Sequence, residues 1–443
     1  MDRGTFYLTF FNNLPVFFGF ALVAIAILYK TVNLFSVCKG PLDPAHFYIS
    51  FTFGTAYSMV FGLAFLGGIS FDKWMLIFIY GVVLFVFVGF FSKVKNDVFY
   101  RVVQTFIIPK WSSGKFEFML ALSSYAICAL ITIYLVGFGL FADTNRFEQN
   151  RGIGVFVRIT DCLRLFIIPY LYLTALKIKK QNTKYLVFFL IFVFAVFSST
   201  LNGSKFSLLE SIYAIFIATV LSNANFKVNF FKLTFVFIFV LAFALYGYQV
   251  NLENNGLSSK SSEYINGSPF LIEALFLRVL ANGDKYFLSL PNDIIDTVIS
   301  KSAILSILSP VIGSTRMSSL VGFNMNDFTI GKQILLYWDP SFSISGGPTS
   351  HFDLFAYVHF GLLGGVVFVA LIGSYLGSVI RLSNKNRNQF TIFKISFIAL
   401  LWLRSLPIII EPPLGIAYIV DIFVIFTCFK FFGLLFKRQR GQN

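Results

Sequence analysis

The sequence predicts an all-α polytopic membrane protein with about 11 transmembrane helices and one long periplasmic loop that contains short helices. Of its 443 residues, 57% are hydrophobic and only 12% are charged, whereas soluble domains carry about 25% charged residues. Its sixty Phe residues and its mean hydropathy of +0.78 cannot be buried in one water-soluble core. The apolar residues also occur in runs close to the ~20 residues that cross a bilayer.

Eleven apolar runs are predicted to span the membrane. No cleavable signal peptide is expected, because the first run is long enough to remain as a span. The runs are 5–29, 46–69, 74–92, 117–140, 155–176, 185–200, 206–222, 230–248, 353–380, 391–410 and 415–436.

The net charge of +15 would suggest nucleic acid in a soluble protein. Here the bases sit in short connections, so membrane topology is a sufficient cause, and we expect the lipid bilayer as partner and no nucleic acid. The larger set, predicted to be cytoplasmic, comprises Lys30, Lys39, the five bases within 93–116, Lys177, Lys179, Lys180, Lys184, Lys227, Lys232, Arg381, Lys385, Arg387, Lys437, Arg438 and Arg440. The opposite set comprises Arg3, Lys73, Arg146, Arg151 and Lys205.

This asymmetry predicts a multi-pass protein of the bacterial inner membrane, with its N-terminus outside and its C-terminus in the cytoplasm. A reporter that works only in the cytoplasm should therefore be active when it is fused to the C-terminus. A C-terminal fusion that is active only in the periplasm would overturn the predicted orientation.

One connection, 249–352, is far longer than the others and falls outside. It divides the chain into transmembrane helices 1 to 8 (1–248), the large periplasmic loop (249–352), and helices 9 to 11 with a cytoplasmic tail (353–443). Within the loop, 269–280 and 291–308 are apolar and begin with proline, which predicts two helices too short to span. A loop of this length in a compact protein is usually functional.

Ionisable residues inside spans are costly, and they point to function. The fifth span carries Arg158, Asp161 and Arg164, and three-residue spacing places Asp161 beside both arginines on the helix surface. Most charges of the spans fall in the outer half, which favours chemistry at the outer face over ion-coupled transport. The further charges of this outer half are Glu210, Arg404, Glu411 and Asp421.

Two arginines against one acid leave a positive surplus, which favours an anionic ligand. The planar fork of arginine suits phosphate. The alternative is that the three charges form a neutralised packing triad. Further basic candidates for phosphate binding are Arg146, Arg151, Lys205, Arg278, Arg316 and Arg404; for a single loop base, the alternative is a solvated surface charge.

His351 stands where the long loop meets the ninth span, after a turn predicted by Gly346-Gly347-Pro348. Imidazole titrates near neutrality, so His351 is a candidate general base. Alternatively, it caps or hydrogen-bonds locally. Asp353 is the second catalytic candidate, because it can orient His351, serve as the base itself, or cap the ninth span.

No metal and no cofactor are expected. The chain has three histidines, and no acid pair has the spacing of a divalent site on one helix. The absence of a nucleotide-binding fingerprint argues against an ATP-driven pump.

Because no metal is expected, EDTA should leave the activity of the purified protein unchanged. Activity that is lost in EDTA and restored by a divalent ion would contradict it.

The stretch from Gly346 to Gly364, Gly-Gly-Pro-Thr-Ser-His-Phe-Asp-Leu-Phe-Ala-Tyr-Val-His-Phe-Gly-Leu-Leu-Gly, resembles the His-containing segment of bacterial O-antigen polymerases and O-antigen ligases. In those families, this segment leads from a long periplasmic loop into a span. The arginines of the fifth span and Gly203-Ser204-Lys205 also look like the polymerase layout. The ligase form usually has Asn soon after the His, and Asp353 stands near that place.

The resemblance implies an O-antigen polymerase, a glycosyltransferase that joins undecaprenyl-pyrophosphate-linked repeat units and releases polyprenyl pyrophosphate. It also implies a chain-length regulator protein as a partner. Arginines of the outer half would then bind pyrophosphate, a base in the loop would deprotonate the attacking sugar hydroxyl, and Tyr337 and Trp338 would stack on sugars. The alternatives are an O-antigen ligase, which passes the glycan to lipid A–core, and a flippase for lipid-linked oligosaccharides.

Overall fold

The structure is a computed structural model. It describes residues 3–38, 40–94, 98–109, 114–137, 152–201, 205–222, 249, 262–265, 268–341, 347–385 and 391–440.

All the regular elements of these residues are helices, which confirms the all-helical class. The α-helical elements are α1 (Arg3–Asn12), α2 (Leu14–Phe35), α3 (His46–Phe65), α4 (Phe71–Lys93), α5 (Val98–Phe106), α6 (Lys115–Val136), α7 (Gly154–Leu176), α8 (Gln181–Leu201), α9 (Lys205–Leu221), α10 (Phe270–Leu280), α11 (Asp284–Ser289), α12 (Ala303–Ile312), α13 (Ser314–Val321), α14 (Ile330–Trp338), α15 (His351–Asn384), α16 (Ile392–Ser405) and α17 (Pro412–Arg440). The first turns of α3 are π-helical. Short 3-10 helices cover Pro291–Thr297, Met325–Phe328 and Leu406–Ile409.

Nine helices of the described residues are long and apolar enough to cross a bilayer. Each matches one predicted span, so the protein is a multi-pass membrane protein by length and composition. The predicted span 206–222 corresponds to α9, which has 17 residues and is therefore only about 25 Å long. The predicted span 230–248 lies outside the described residues, and the count of eleven stays a prediction.

The N-terminal run differs from the single span predicted at 5–29. It forms two helices, α1 and α2, with a break at Asn13. Pro15 lies in the first turn of α2 and has no backbone N–H to continue a helix from α1. The Asn13 side chain donates to the carbonyl of Thr9 at 2.8 Å. The first membrane-length helix therefore begins at Leu14 and ends at Phe35.

The helix predicted at 269–280 is present as α10, with Pro269 in extended conformation at its N-cap. The single helix predicted at 291–308 is wrong. Asn292 and Asp293 have φ values of 57° and 54°, in the left-handed region that interrupts an α-helix. A 3-10 helix forms there instead, and Ser302 caps the separate helix α12 by accepting from the Leu305 N–H.

Internal contacts divide the chain into two compact units. The first comprises the described residues of 1–29, 49–74 and 224–294, and the second those of 30–48, 75–223 and 295–443. In the first unit, the rings of Phe6 and Phe287 stack with centroids 3.9 Å apart. Gly62 lets α3 approach Phe17 so closely that a Cβ there would lie 2.3 Å from the ring.

The centre of the second unit is α7, which packs against α6, α8, α9 and α16. Helix α16 is buried along its whole length from Phe393 to Ser405. Phe166 of α7 contacts Phe393 of α16 and Phe426 of α17, with ring centroids 5.1 and 4.9 Å apart. These aromatic contacts pack together the helices that carry Arg164, Arg404 and Asp421.

Glycines bring α15 into close contact with α4. A Cβ added at Gly373 would lie 2.7 Å from the Leu84 carbonyl oxygen, and one at Gly377 would lie 2.6 Å from that of Val88. The four-residue spacing places both glycines on one face, the arrangement of small residues that lets membrane helices pack backbone to backbone.

Helix α15 breaks at Gly361, whose φ of 66° and ψ of −170° are accessible to glycine alone. Its 34 residues would extend about 51 Å, well beyond the ~30 Å of a bilayer core. The part after Gly361 is long enough to span by itself. The hydroxyl of Tyr80 lies 3.0 Å from the carbonyl oxygens of both Gly361 and Leu362, and so stabilises the break. Residues 351–360 therefore form a separate segment.

Candidate functional site

Six buried or half-buried charged side chains meet among four helices of the second unit. We call this set the ion-pair network. It comprises Arg158, Asp161 and Arg164 of α7, Glu210 of α9, Arg404 of α16 and Asp421 of α17. Three arginines face three carboxylates, so the formal charges cancel.

Arg164 is fully buried. Its Nη2 donates to Glu210 Oε2 at 2.8 Å and to Asp161 Oδ1 at 3.2 Å. Its Nη1 donates to the hydroxyl of Ser211 at 3.1 Å and to the backbone carbonyl of Ser207. The Nε–H has no hydrogen-bond partner among the described residues.

Arg404 approaches the same carboxylate from α16. Its Nη1 lies 3.2 Å from Glu210 Oε1, and its Nη2 lies 3.3 Å from Glu210 Oε2. Its Nη2 is also 3.8 Å from Asp161 Oδ1, and the guanidinium lies over the ring of Tyr418 at 4.6 Å. Its Nε–H is the second buried arginine donor of the network without a partner in the described part of the chain. Arg164 and Arg404 thus both pair with Glu210, and the Nε–H of each has no hydrogen-bond partner among the described residues.

Arg158 has a different role. Its Nε donates to Asp421 Oδ2 at 2.8 Å, and its Nη2 lies 3.3 Å from Asp421 Oδ1. Its Nη groups also donate to the backbone carbonyls of Pro310 and Val311. These carbonyls belong to the last turn of α12, where a helix leaves acceptors unsatisfied and carries partial negative charge. Arg158 therefore anchors α12 to α7 and α17.

Loss of the Arg158 contacts should loosen the end of α12. Arg158→Gln removes the charge that holds Asp421 and the end of α12, so the loop should open more often. Limited trypsin digestion of the protein in membranes should then cleave at Lys301 and Arg316 at least several-fold faster than in the wild type. Arg101→Gln, at an exposed position of α5, is the matched control. Unchanged cleavage in the Arg158 variant would show that the anchor has no effect on the loop.

The structure corrects the charge argument made from the sequence. The fifth span alone has two arginines and one acid. Glu210, Asp421 and Arg404 from other helices complete three arginines against three carboxylates, so the described residues of the folded site carry no surplus. Asp161 lies with Arg164 and Arg404, and Arg158 pairs with Asp421. What favours a ligand is instead the pair of unpartnered Nε–H donors. Glu210 was visible in the sequence as a charged residue of an apolar run, but its central position was not.

His351 and Asp353 are both fully buried. His351 has a φ of 49°, a conformation that is uncommon outside glycine. Its backbone N–H donates to the carbonyl of Ile410 at 2.9 Å, and the N–H of Ser350 donates to Glu411 Oε2 at 2.8 Å. These bonds dock the start of α15 on the turn between α16 and α17. A base at His351 must therefore become accessible by local opening of this turn.

The side chains of the remaining predicted phosphate-binding residues are either exposed or lie outside the described part of the structure. Arg278 lies in the first unit at an exposed position of α10, and Arg316 is exposed on α13 of the second unit. Arg146, Arg151 and the side chain of Lys205 lie outside what the structure describes. Of the predicted set, the structure therefore brings Arg158, Arg164 and Arg404 together.

Buried charges of this kind are costly unless they are paired and hydrogen-bonded. The network meets that condition for its carboxylates, and it leaves two donors aimed at no acceptor. One further anionic or carbonyl oxygen at each donor would satisfy it. Comparison of the chain with protein-family models, with curated proteins and with solved structures gives no match.

Proposed function

We propose that this protein is a polytopic glycosyltransferase of the O-antigen polymerase type. It would join repeat units carried on undecaprenyl pyrophosphate at the periplasmic face of the inner membrane. The observation that carries the proposal is the pair of buried Nε–H donors of Arg164 and Arg404, which can take oxygens of a pyrophosphate. The resemblance of residues 346–364 to the His-containing segment of O-antigen polymerases gives the substrate class.

In this proposal, the apolar spans hold the polyprenyl chain, and Arg164 and Arg404 bind the pyrophosphate. The acceptor hydroxyl attacks the anomeric carbon of the donor glycan, and the bond from that carbon to the pyrophosphate oxygen breaks. The pyrophosphate leaves with the bonding electrons, and the arginines stabilise the charge that develops on it. The hydroxyl proton passes to His351, or to Asp353.

The balanced charge of the network opposes binding of the pyrophosphate. A pyrophosphate adds negative charge beside Glu210 and Asp161, so binding costs energy unless these carboxylates give up bonds to the arginines. Glu210 is held by both Arg164 and Arg404. Exchange of Glu210 for phosphate oxygens would keep the arginines paired throughout the cycle, and a proton taken up by the displaced Glu210 would avoid a buried uncompensated carboxylate.

Deletion of the gene in its native host tests the proposal. Lipopolysaccharide gels should show a single repeat unit on the core, and the gene on a plasmid should restore the ladder. Core without O-antigen, together with long lipid-linked chains, would identify a ligase instead.

A second candidate is the flippase, and the balanced network favours it. Paired charges shared by four helices can exchange partners as helices move, and alternating access moves one group of helices against another. Accumulation of single lipid-linked repeats on the cytoplasmic face of the deletion strain would support the flippase and contradict the polymerase.

A further inference from the structure

Two side-chain hydrogen bonds connect the 351–360 segment to loop residues 296–300, apart from the ion-pair network. Tyr357 donates through its hydroxyl to Asp296 Oδ1 at 2.8 Å. Ser300 Oγ lies 2.6 Å from His359 Nδ1. Asp296 and Ser300 are exposed, whereas Tyr357 and His359 are half-buried. The two pairs thus form a polar surface where loop residues 296–300 meet the 351–360 segment.

The loop side of this surface is held in place by Gln333 of α14. Gln333 Oε1 accepts from the Ile299 N–H at 2.9 Å, and Gln333 Nε2 donates to the Ile299 carbonyl at 3.0 Å. This two-way amide bond fixes the backbone between Asp296 and Ser300. A surface held in this way loses little entropy when it binds a ligand, which favours recognition.

The surface also has an unused polar atom and an apolar neighbour. The bond to Ser300 occupies Nδ1 of His359, and Nε2 has no partner among the described residues. Phe360, the next residue, is 38% exposed. A carboxylate, two hydroxyls and an imidazole beside an exposed ring match a sugar, whose hydroxyls donate and accept and whose C–H face is apolar.

We propose that Asp296, Ser300, Tyr357 and His359 form a binding subsite for a non-reacting sugar of the glycan substrate. The inference rests on the proposed function, because it assumes that the substrate is an oligosaccharide. Arg158 contacts Pro310 at the far end of α12, whose first residue follows shortly after Ser300. At 1.5 Å per residue, the rise of α12 from Ala303 to Pro310 is about 10 Å. An oligosaccharide attached at the network would extend toward this subsite along α12.

Binding of a soluble glycan to the full chain in nanodiscs tests this subsite. The probe is the repeat-unit oligosaccharide released from the native host by mild acid, and the measurement is saturation-transfer NMR with titration. His359→Ala should weaken binding by at least 10-fold. Ser319→Ala, at an exposed site on α13 of the same loop, is the matched control and should bind like the wild type.

A second variant distinguishes sugar binding by His359 from a purely structural role of the Ser300–His359 hydrogen bond. Ser300→Ala removes the bond to Nδ1 but leaves Nε2 for the sugar, so it should weaken binding less than His359→Ala does. Equal losses in both variants, with equal falls in melting temperature, would show that the pair only holds the loop and would overturn the subsite.

Absence of glycan binding by the wild type would also overturn the subsite, whatever the deletion strain shows. The lipopolysaccharide gel of that strain tests the proposed function without reference to His359. A normal ladder in the deletion strain, with wild-type glycan binding that His359→Ala abolishes, would refute the polymerase and leave the subsite standing.

Discussion

Arg164→Lys is expected to lower polymer formation by about 100-fold, the loss typical of removing one preorganised donor to a developing oxyanion. Lysine keeps the positive charge that Glu210 and Asp161 require. It loses the planar guanidinium group and its Nε–H, which we propose donates to the pyrophosphate. The measurement is the amount and length of polymer made by membranes with equal amounts of the variant and wild-type proteins.

Two controls make this result interpretable. Arg101→Lys, at an exposed position of α5, should leave polymer unchanged. Arg164→Gln alone leaves buried carboxylates uncompensated and can cost about 3–5 kcal/mol of stability. Arg164→Gln combined with Glu210→Gln keeps the charges balanced, so it should fold better than the single variant yet remain inactive. Wild-type polymer from the Arg164→Lys variant would mean that this arginine is a packing group and that the donor binds elsewhere.

His351→Ala is expected to lower turnover by about 100-fold or more while donor binding persists, because general bases typically contribute that much. The acceptor hydroxyl has a pKa far above neutrality, so its attack needs a base. His351→Gln keeps hydrogen bonding but cannot take a proton at neutral pH, and it should not restore turnover. Single-turnover rates, measured beside donor affinity, separate the two effects.

The left-handed backbone at His351 requires its own control. Asparagine tolerates that conformation better than most residues do, so His351→Asn preserves the local fold and should still be inactive. If Gln works nearly as well as His, the imidazole only hydrogen-bonds, and Asp353 becomes the candidate base. If both His351 and Asp353 tolerate Ala, the catalytic assignment fails, although the membrane fold stands.

Composition and local pattern determined the helical membrane class and the position of nine spans. Both follow from the length of apolar runs, because a bilayer requires every backbone polar group to be satisfied within its own helix. The start of α10 was predictable in the same way, since Pro269 sets a local dihedral angle and removes one donor. Such features depend on neighbours in sequence, and the sequence contains them directly.

The tertiary structure decided which charges meet. Arg164, Glu210 and Arg404 lie on three helices, and only their packing turned an apparent surplus on α7 into a balanced network. The break at Gly361 was likewise stabilised by a distant partner, Tyr80, and the break at Asn292 by a left-handed backbone angle that the apolar pattern did not indicate. Packing also buried His351 against the turn after α16, which its position at the end of a loop did not indicate. Side-chain pairing between helices is a long-range property, and hydrophobic periodicity along one chain segment does not contain it.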